Sequence, residues 1–381
     1  MLTEPSLGLY VHVPWCVRKC PYCDFNSHVH KGELPEDRYV DALLIDLERQ
    51  AAHVPGRVIE TVFLGGGTPS LLAAQSIARL FTGIRERVDL APDAEISLEA
   101  NPGTVERGRF AGYREAGVNR LSLGAQSFGA RQLSLLGRIH SADDVPAAVT
   151  EIHEAGLSNF NLDLMYALPE QSLDDAMRDV TAAMALRPPH LSHYQLTLEP
   201  GTVFHTRPPV LPDEDLADAI EATTHSALIA AGYRRYEVSA WAQPSAECRH
   251  NLNYWRYGDY LGIGAGAHGK RTSGGQIVRT ERPKGPKEYF AAIEADRPPS
   301  EREIPVAERP FEFFLNALRL VDGIEIDTFE STTGLPVQVV EDALGVAAER
   351  GLLEPSASGW RPTPMGLRFL NDLQSLFLPR A

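Results

Sequence analysis

Six short apolar runs, separated by stretches of helical length, constrain the fold of this chain more than any other feature. The runs are "LGLYVHV" (Leu7 to Val13), "ETVFLGG", "EISLEAN", "NRLSLGAQ", "NFNLDLMYALP" and "HLSHYQLTL". Amphipathic segments such as "EDRYVDALLIDLERQAAH" lie between them. Short apolar runs alternating with helices predict a parallel sheet with right-handed crossovers. Two of the units resemble each other: "EAGVNRLSLGAQSF" and "EAGLSNFNLDLMYALP" both close a helix with Glu-Ala-Gly and enter a strand. Gly117 and Gly156 therefore stand where a helix ends in a residue of positive φ. Periodicity alone admits either a partial TIM-like barrel or a doubly wound sheet.

Polar residues at the strand ends separate the two. Glu99 in "SLEANP", Gln126 in "GAQSF", Asp163 in "NLDLMY" and Gln195 in "HYQLT" stand where a plain core would have none. Each one singly reads as readily as a helix cap or a loop hydrogen-bonder. Four in successive units favour a shared pocket at the C-terminal ends of the strands, the active-site face of βα barrels. The expected fold is α/β, a partial parallel (β/α)6 TIM-like barrel. With 381 residues and 43% hydrophobic content the chain can bury a large core, and its length predicts two or three domains. A formal charge of −15, from 36 Lys and Arg against 51 Asp and Glu, makes nucleic acid a poor partner.

The stretch "HVPWCVRKCPYCDFNSHVH" crowds Cys16, Cys20 and Cys23 together, and the only other cysteine is Cys248. The preceding "MLTEPSLGLYV" has no charged n-region, apolar run or cleavage site, and nothing approaches the ~18 apolar residues of a membrane span. The expected location is cytoplasmic, where clustered thiols serve metals or catalysis rather than disulfides. C-x3-C-x2-C directly after the first strand puts three thiolates on one loop and leaves one metal position open. On a cubane iron–sulfur cluster the open iron can take the amino and carboxylate groups of S-adenosylmethionine, and the radical chemistry is then the cofactor's. Zinc held by three cysteines and a histidine competes, since His12, His28 and His30 are close by, although paired C-x2-C is the common zinc spacing.

Two glycine-rich pieces differ in value. In "TVFLGGGTPS", Gly65, Gly66 and Gly67 follow a strand and can bring backbone N–H groups close to a carboxylate or phosphate. A tight turn is the plainer reading, but it needs fewer glycines. "GIGAGAHG" superficially matches a dinucleotide fingerprint, yet "KRTSGGQIV" after it is no amphipathic helix, so that reading fails.

With the cysteine loop after the first strand and "GGTP" after the second, the chain resembles the radical S-adenosylmethionine superfamily. The wider set "YVHVPWCVRKCPYCDFNSH", "FLGGGTPSLL", "LEANPGT", "GAQSF", "LGRIH" and "NLDLMYALPEQ" resembles the oxygen-independent coproporphyrinogen III oxidase family, and its heme-chaperone branch most. The likeness runs through nearly the whole chain. It implies that Cys16, Cys20 and Cys23 hold a 4Fe–4S cluster. It also implies S-adenosyl-L-methionine among Tyr10, Tyr22, Gly66, Gly67, Thr68, Glu99, Gln126, Arg138 and Asp163. Glycine N–H groups and Thr68 suit the amino-acid end, Glu99 or Asp163 the ribose hydroxyls, and Arg138 the carboxylate.

Two departures separate the chain from the oxidases that the resemblance invokes. Their motif continues to a fourth cysteine where Phe25 stands here, and they carry an extension before the cluster. The implied function is to bind heme and hand it to acceptor apoproteins, with coproporphyrinogen III dehydrogenation as the alternative. The implied partners are respiratory membrane proteins, reached by peripheral association, and an electron donor for the cluster. Within "ECRHNLNYWRYGDYLGIG", the run from His250 to Trp255 matches an H-N-x-x-Y-W pattern that the branch associates with heme. His250 beside Tyr254, Trp255 and Tyr257 offers an axial ligand with aromatic surface. A buried histidine under an aromatic cluster is the competing reading from the residues alone. Cys248 reads as a plain buried thiol.

The expected division is a barrel over residues 1–240, a connecting region with the H-N-x-x-Y-W motif over 241–300, and a small winged-helix-like unit over 301–381. That last unit carries seven Lys and Arg against thirteen Asp and Glu, the wrong sign for a DNA reader. Covering the barrel mouth, docking a partner or a dimer contact suits it better.

Overall fold

The structure, a computed structural model, describes residues 2–103 and 108–379. Thr104, which closes the "LEANPGT" motif, lies outside the described residues. All six expected strands form: β1 (Leu7–Val13), β2 (Val58–Gly66), β3 (Asp89–Ala100), β4 (Arg120–Gln126), β5 (Phe160–Tyr166) and β6 (His190–Gln195). They pair in that order, each parallel to the next. Between them run α1 (Glu36–Ala51), α2 (Ala74–Arg85), α3 (Phe110–Ala116), α4 (Asp144–Glu154) and α5 (Leu173–Ala185).

The strands are apolar runs because helices cover them outside and side chains fill the concave face inside. Every residue of β4 is buried. On α1 the stripe Tyr39, Val40, Leu43 and Leu47 faces the sheet, the spacing of one helical face. Burying each such side chain contributes about 1.5–3 kcal/mol. Gly117 (φ 112°) and Gly156 (φ 74°) end α3 and α4 as their positions predict.

The sheet continues beyond the six expected strands. After α6 (Glu214–Ala230) come β7 (Arg234–Glu237) and β8 (Ala240–Ala242), then α7 (Arg249–Trp255), β9 (Asp259–Ile263), β10 (His268–Ser273), β11 (Gln276–Glu281) and β12 (Ser300–Glu303). The full order is β12-β11-β10-β9-β1-β2-β3-β4-β5-β6-β8-β7, with β9 parallel to the outer edge of β1. Residues 241–300 thus hold the strands β9, β10 and β11 together with the helices Arg249–Trp255 and Pro286–Glu294. Their glycines mark a tight turn: Gly274 (φ 59°) and Gly275 (φ 83°) form the two-residue loop of the β10–β11 hairpin. The "GIGAGAHG" segment leads into the antiparallel strand β10, so no dinucleotide-type helix follows it.

α7, which carries "HNLNYW", packs inside the concave side against β1 and β2. It also touches α8 (Arg309–Ala317), the first helix of the C-terminal unit. That unit has two further helices, Ile326–Thr333 and Glu341–Glu349, then a hairpin of Leu353–Pro355 with Gly359–Pro362 and two short helices, Pro364–Arg368 and Leu370–Ser375. The order is winged-helix-like, with Ile326–Thr333 as a helix the Thr-rich sequence did not announce. Phe313, Phe314, Phe329 and Phe377 centre its own core, Phe314 stacking on Phe377 at 3.7 Å. Its backbone is bonded to the barrel edge, Val238 N to Arg319 O at 3.1 Å and Val321 N to Tyr236 O at 3.1 Å. Among the described residues no helix is long and apolar enough to cross a membrane.

Candidate functional site

At the C-terminal ends of the strands the barrel opens into a cavity of about 360 Å³. Cys16, Cys20 and Cys23 line it, with Tyr22 from the same loop and Gly66, Gly67 and Thr68 from the end of β2. Glu99, Gln126, Arg138 and Asp163 complete the wall. Three expected residues are elsewhere. Tyr10 lies below, its hydroxyl 3.0 Å from His12 Nδ1 and its ring stacked on Phe63. Gln195 is exposed at the end of β6, because alternation along the strand turns Ser192 and Tyr194 inward instead. His250 lies inside the barrel, 1% exposed.

Arg138 ties the cysteine loop to the barrel. Its Nη1 reaches Cys20 Sγ at 3.7 Å, while Nη2 donates to Asn101 Oδ1 at 2.5 Å and to Gly124 O at 2.8 Å. Burial pushes the Cys16 and Cys23 thiols above the ordinary range. A bound metal reverses that order, because a coordinating thiol is deprotonated outright. Three free thiols opening on one cavity beside a guanidinium suit an iron–sulfur cluster. Among the described residues no three His, Cys, Asp or Glu side chains converge on a single ion. A cubane asks for something different, one thiolate at each of three irons. The competing zinc set does not assemble: His12 Nε2 bonds Asn26 O at 2.8 Å, His28 Nε2 bonds Asn26 Oδ1 at 3.2 Å, and His30 Nε2 bonds Glu33 O at 2.9 Å.

The glycines act differently from the sequence expectation. Gly66 N donates to Glu99 Oε2 at 3.0 Å and Gly67 N to Val13 O at 2.7 Å, so neither N–H is free for a ligand. A Cβ on Gly66 would sit 2.5 Å from the His12 ring, and one on Gly67 2.4 Å from Trp15 O. Gly66 is glycine to clear the His12 ring of β1, and Gly67 to clear the backbone at Trp15, where the cysteine loop begins.

Two buried carboxyls face the cavity. Burial, and then the charge of Asp163, pushes Glu99 up to about 8. Burial also raises Asp163, opposed by hydrogen bonds from Asn161 Nδ2 (2.8 Å) and Ser122 Oγ (3.2 Å). Gln126 holds φ at 65° without being glycine, a strained conformation of the kind that gathers at functional sites. Tyr194 OH fixes its amide by donating to Oε1 at 2.9 Å.

His250 is not presented as a ligand. Its Nδ1 lies 2.8 Å from Thr61 Oγ1 and its Nε2 3.0 Å from Tyr254 OH, and its ring stacks on Phe63 at 5.2 Å. Burial lowers it to about 3, so it stays neutral. Asn251 and Trp255, one helical turn apart on α7, line the cavity instead. Cys248 is buried, bonded to Glu95 Oε1 at 3.5 Å and raised to about 12, the plain thiol expected. Tyr194, Ser122, Glu237 and Arg319 also line the cavity, and sequence reasoning singled out none of them. Strand alternation could have found the first two. Nothing local marks the others.

A partial parallel barrel with three cysteines after β1 and a carboxyl-lined cavity at its strand ends defines a protein of the radical S-adenosylmethionine class. The Radical SAM superfamily matches residues 10–182, and the HemN C-terminal domain matches residues 304–369. The chain is 50% identical to the heme chaperone HemW of Escherichia coli (strain K12) over 379 residues, 99% of this chain and 100% of that one. It is 47% identical to the heme chaperone HemW of Haemophilus influenzae, over 98% of both chains. The chain belongs to the HemW family of radical S-adenosylmethionine proteins. Its fold matches coproporphyrinogen III oxidase (HemN) from Escherichia coli with a TM-score of 0.83 at 24% identity, over 98% of this chain and 90% of that one. Membership implies a 4Fe–4S cluster and S-adenosylmethionine.

Proposed function

We propose that this chain is a heme chaperone, which binds heme and passes it to acceptor apoproteins. One observation carries the reading: a single cavity joins the three cysteines to Asn251 and Trp255 of the "HNLNYW" helix. The full-length likeness to proteins named heme chaperone HemW supports it. Cys16, Cys20 and Cys23 would hold the cluster, and Thr68, Glu99, Gln126, Arg138 and Asp163 would surround S-adenosylmethionine. When bound, the pair supplies one-electron chemistry. The chain's own part is to orient and to exclude water. Arg138 anchors the cysteine loop, Glu99 braces the glycine turn, and Asp163 is held for hydroxyl groups by Ser122 and Asn161.

Phe25 is 58% exposed at the cavity rim, where the oxidase pattern has its fourth cysteine. The acceptors in this reading are respiratory membrane proteins, met from the cytoplasmic side by peripheral contact, and an external electron donor serves the cluster. Anaerobically reconstituted protein offered heme and coproporphyrinogen III in parallel tests the proposal. Heme should bind and move to an apoprotein acceptor, with no protoporphyrinogen formed. Sustained turnover with release of carbon dioxide would replace this reading with the dehydrogenase.

A further inference from the structure

One residue of the C-terminal unit, Arg319, reaches the cavity and lines it beside Glu237, Ser239 and Trp255. Arg319 follows α8, and its carbonyl accepts from Val238 N at 3.1 Å, which pins its backbone to the barrel edge. The guanidinium carbon lies 4.4 Å from the centre of the Trp255 ring. Nη2 donates to Glu237 Oε2 at 3.0 Å and Ser239 Oγ at 3.5 Å. Arg319 Nε and Trp255 Nε1 are both buried without a hydrogen-bond partner. Two stacked side chains thus line one cavity.

The bonds to Glu237 and Ser239 use Nη2 alone, so the rest of the guanidinium fork can take an acceptor that arrives with a ligand. A guanidinium fork over an indole face recognises two things together, a carboxylate and an adjoining flat apolar surface. Glu237 satisfies one side of Arg319 and holds the cation in place. We propose that Arg319, with Trp255, reads a carboxylate of the bound ligand and sets selectivity for macrocycles whose side-chain acids are free. This inference rests on the heme reading. It adds that the C-terminal unit supplies a selectivity residue, so ligand binding couples that unit to the barrel edge.

The test compares equilibrium binding of iron protoporphyrin with that of its dimethyl ester, which keeps the ring and iron but lacks the acids. The unaltered protein should prefer the free acid by about tenfold or more, the scale of one charged hydrogen bond. Arg319→Gln should lose that preference while binding the ester unchanged, with the cluster absorbance retained. Glu237→Gln frees the guanidinium and should sharpen the preference, which guards against Arg319→Gln failing to fold. An unchanged acid-to-ester ratio in either variant overturns the inference and leaves the heme reading standing. If the unaltered protein binds neither compound, both fall.

Discussion

Arg138 donates from Nη1 to Cys20 Sγ across 3.7 Å, and its other arm grips Asn101 and the carbonyl of Gly124. One side chain thus ties the cysteine loop, the end of β3 and the middle of β4 into a single frame. Arg138→Lys keeps the charge but loses the fork, so it cannot make all three contacts. S-adenosylmethionine affinity should fall on the order of tenfold, and iron should be lost faster to a chelator. Equilibrium dialysis and the cluster's absorbance decay measure the two effects. If neither changes, Arg138 is no part of the frame.

The cysteines divide by environment. Cys16, Cys20 and Cys23 open on the cavity, whereas Cys248 is sealed against Glu95 and stays protonated, at about 12. Replacing the three together by Ala should abolish the broad absorption at about 400 nm of the reconstituted protein. Cys248→Ala should leave that absorption intact. Native protein that carries stoichiometric zinc and no iron would contradict the assignment.

Glu99 makes the cofactor-free protein sensitive to alkali. Its folded value, about 8, lies above the ordinary 4.5, so between these limits the native state holds a proton that the unfolded chain releases. Stability contributed by this group is present at acid pH and is lost as pH rises through about 8. The slope is about 1.4 kcal/mol per pH unit inside that window. Glu99→Gln cannot ionise and should gain on the unaltered protein as pH rises. Denaturant unfolding at pH values either side of neutrality gives the comparison, and parallel curves would refute it.

His250→Ala should damage the fold rather than any iron bond. The change removes hydrogen bonds with Thr61 and Tyr254 and a ring stacked on Phe63, and it leaves a cavity inside the barrel. The cost should be about 3 kcal/mol. Heme bound to the folded fraction should keep its Soret position. A shifted Soret band would mean that the ring swings out of this nest to ligate iron.

Much of this molecule is legible without its tertiary structure, and the legible parts share a property. Each of the six barrel strands is announced by a local apolar run, and the cysteine loop by three residues within one short turn. Gly117 and Gly156 are read from the helix ends beside them. These signals lie within a few residues of what they specify, so local sterics and periodicity suffice.

What the tertiary structure alone decided concerns partners far apart in the chain. Which strand-end side chains meet depends on register, and so Tyr194 rather than Gln195 reaches the cavity. The N–H groups of Gly66 and Gly67 are held by Glu99 and by the carbonyl of Val13, partners that the glycine run itself does not specify. His250 carries the same motif as Trp255, yet the helix turns one into the barrel and the other towards the cavity. Arg319 reaches that cavity only because the C-terminal unit is bonded to the barrel edge at Val238. Sequence by itself determined the class of chemistry through the residues it placed side by side. The neighbours of each side chain were decided by long-range packing, because burial satisfies a polar group with whatever the fold brings within about 3 Å of it.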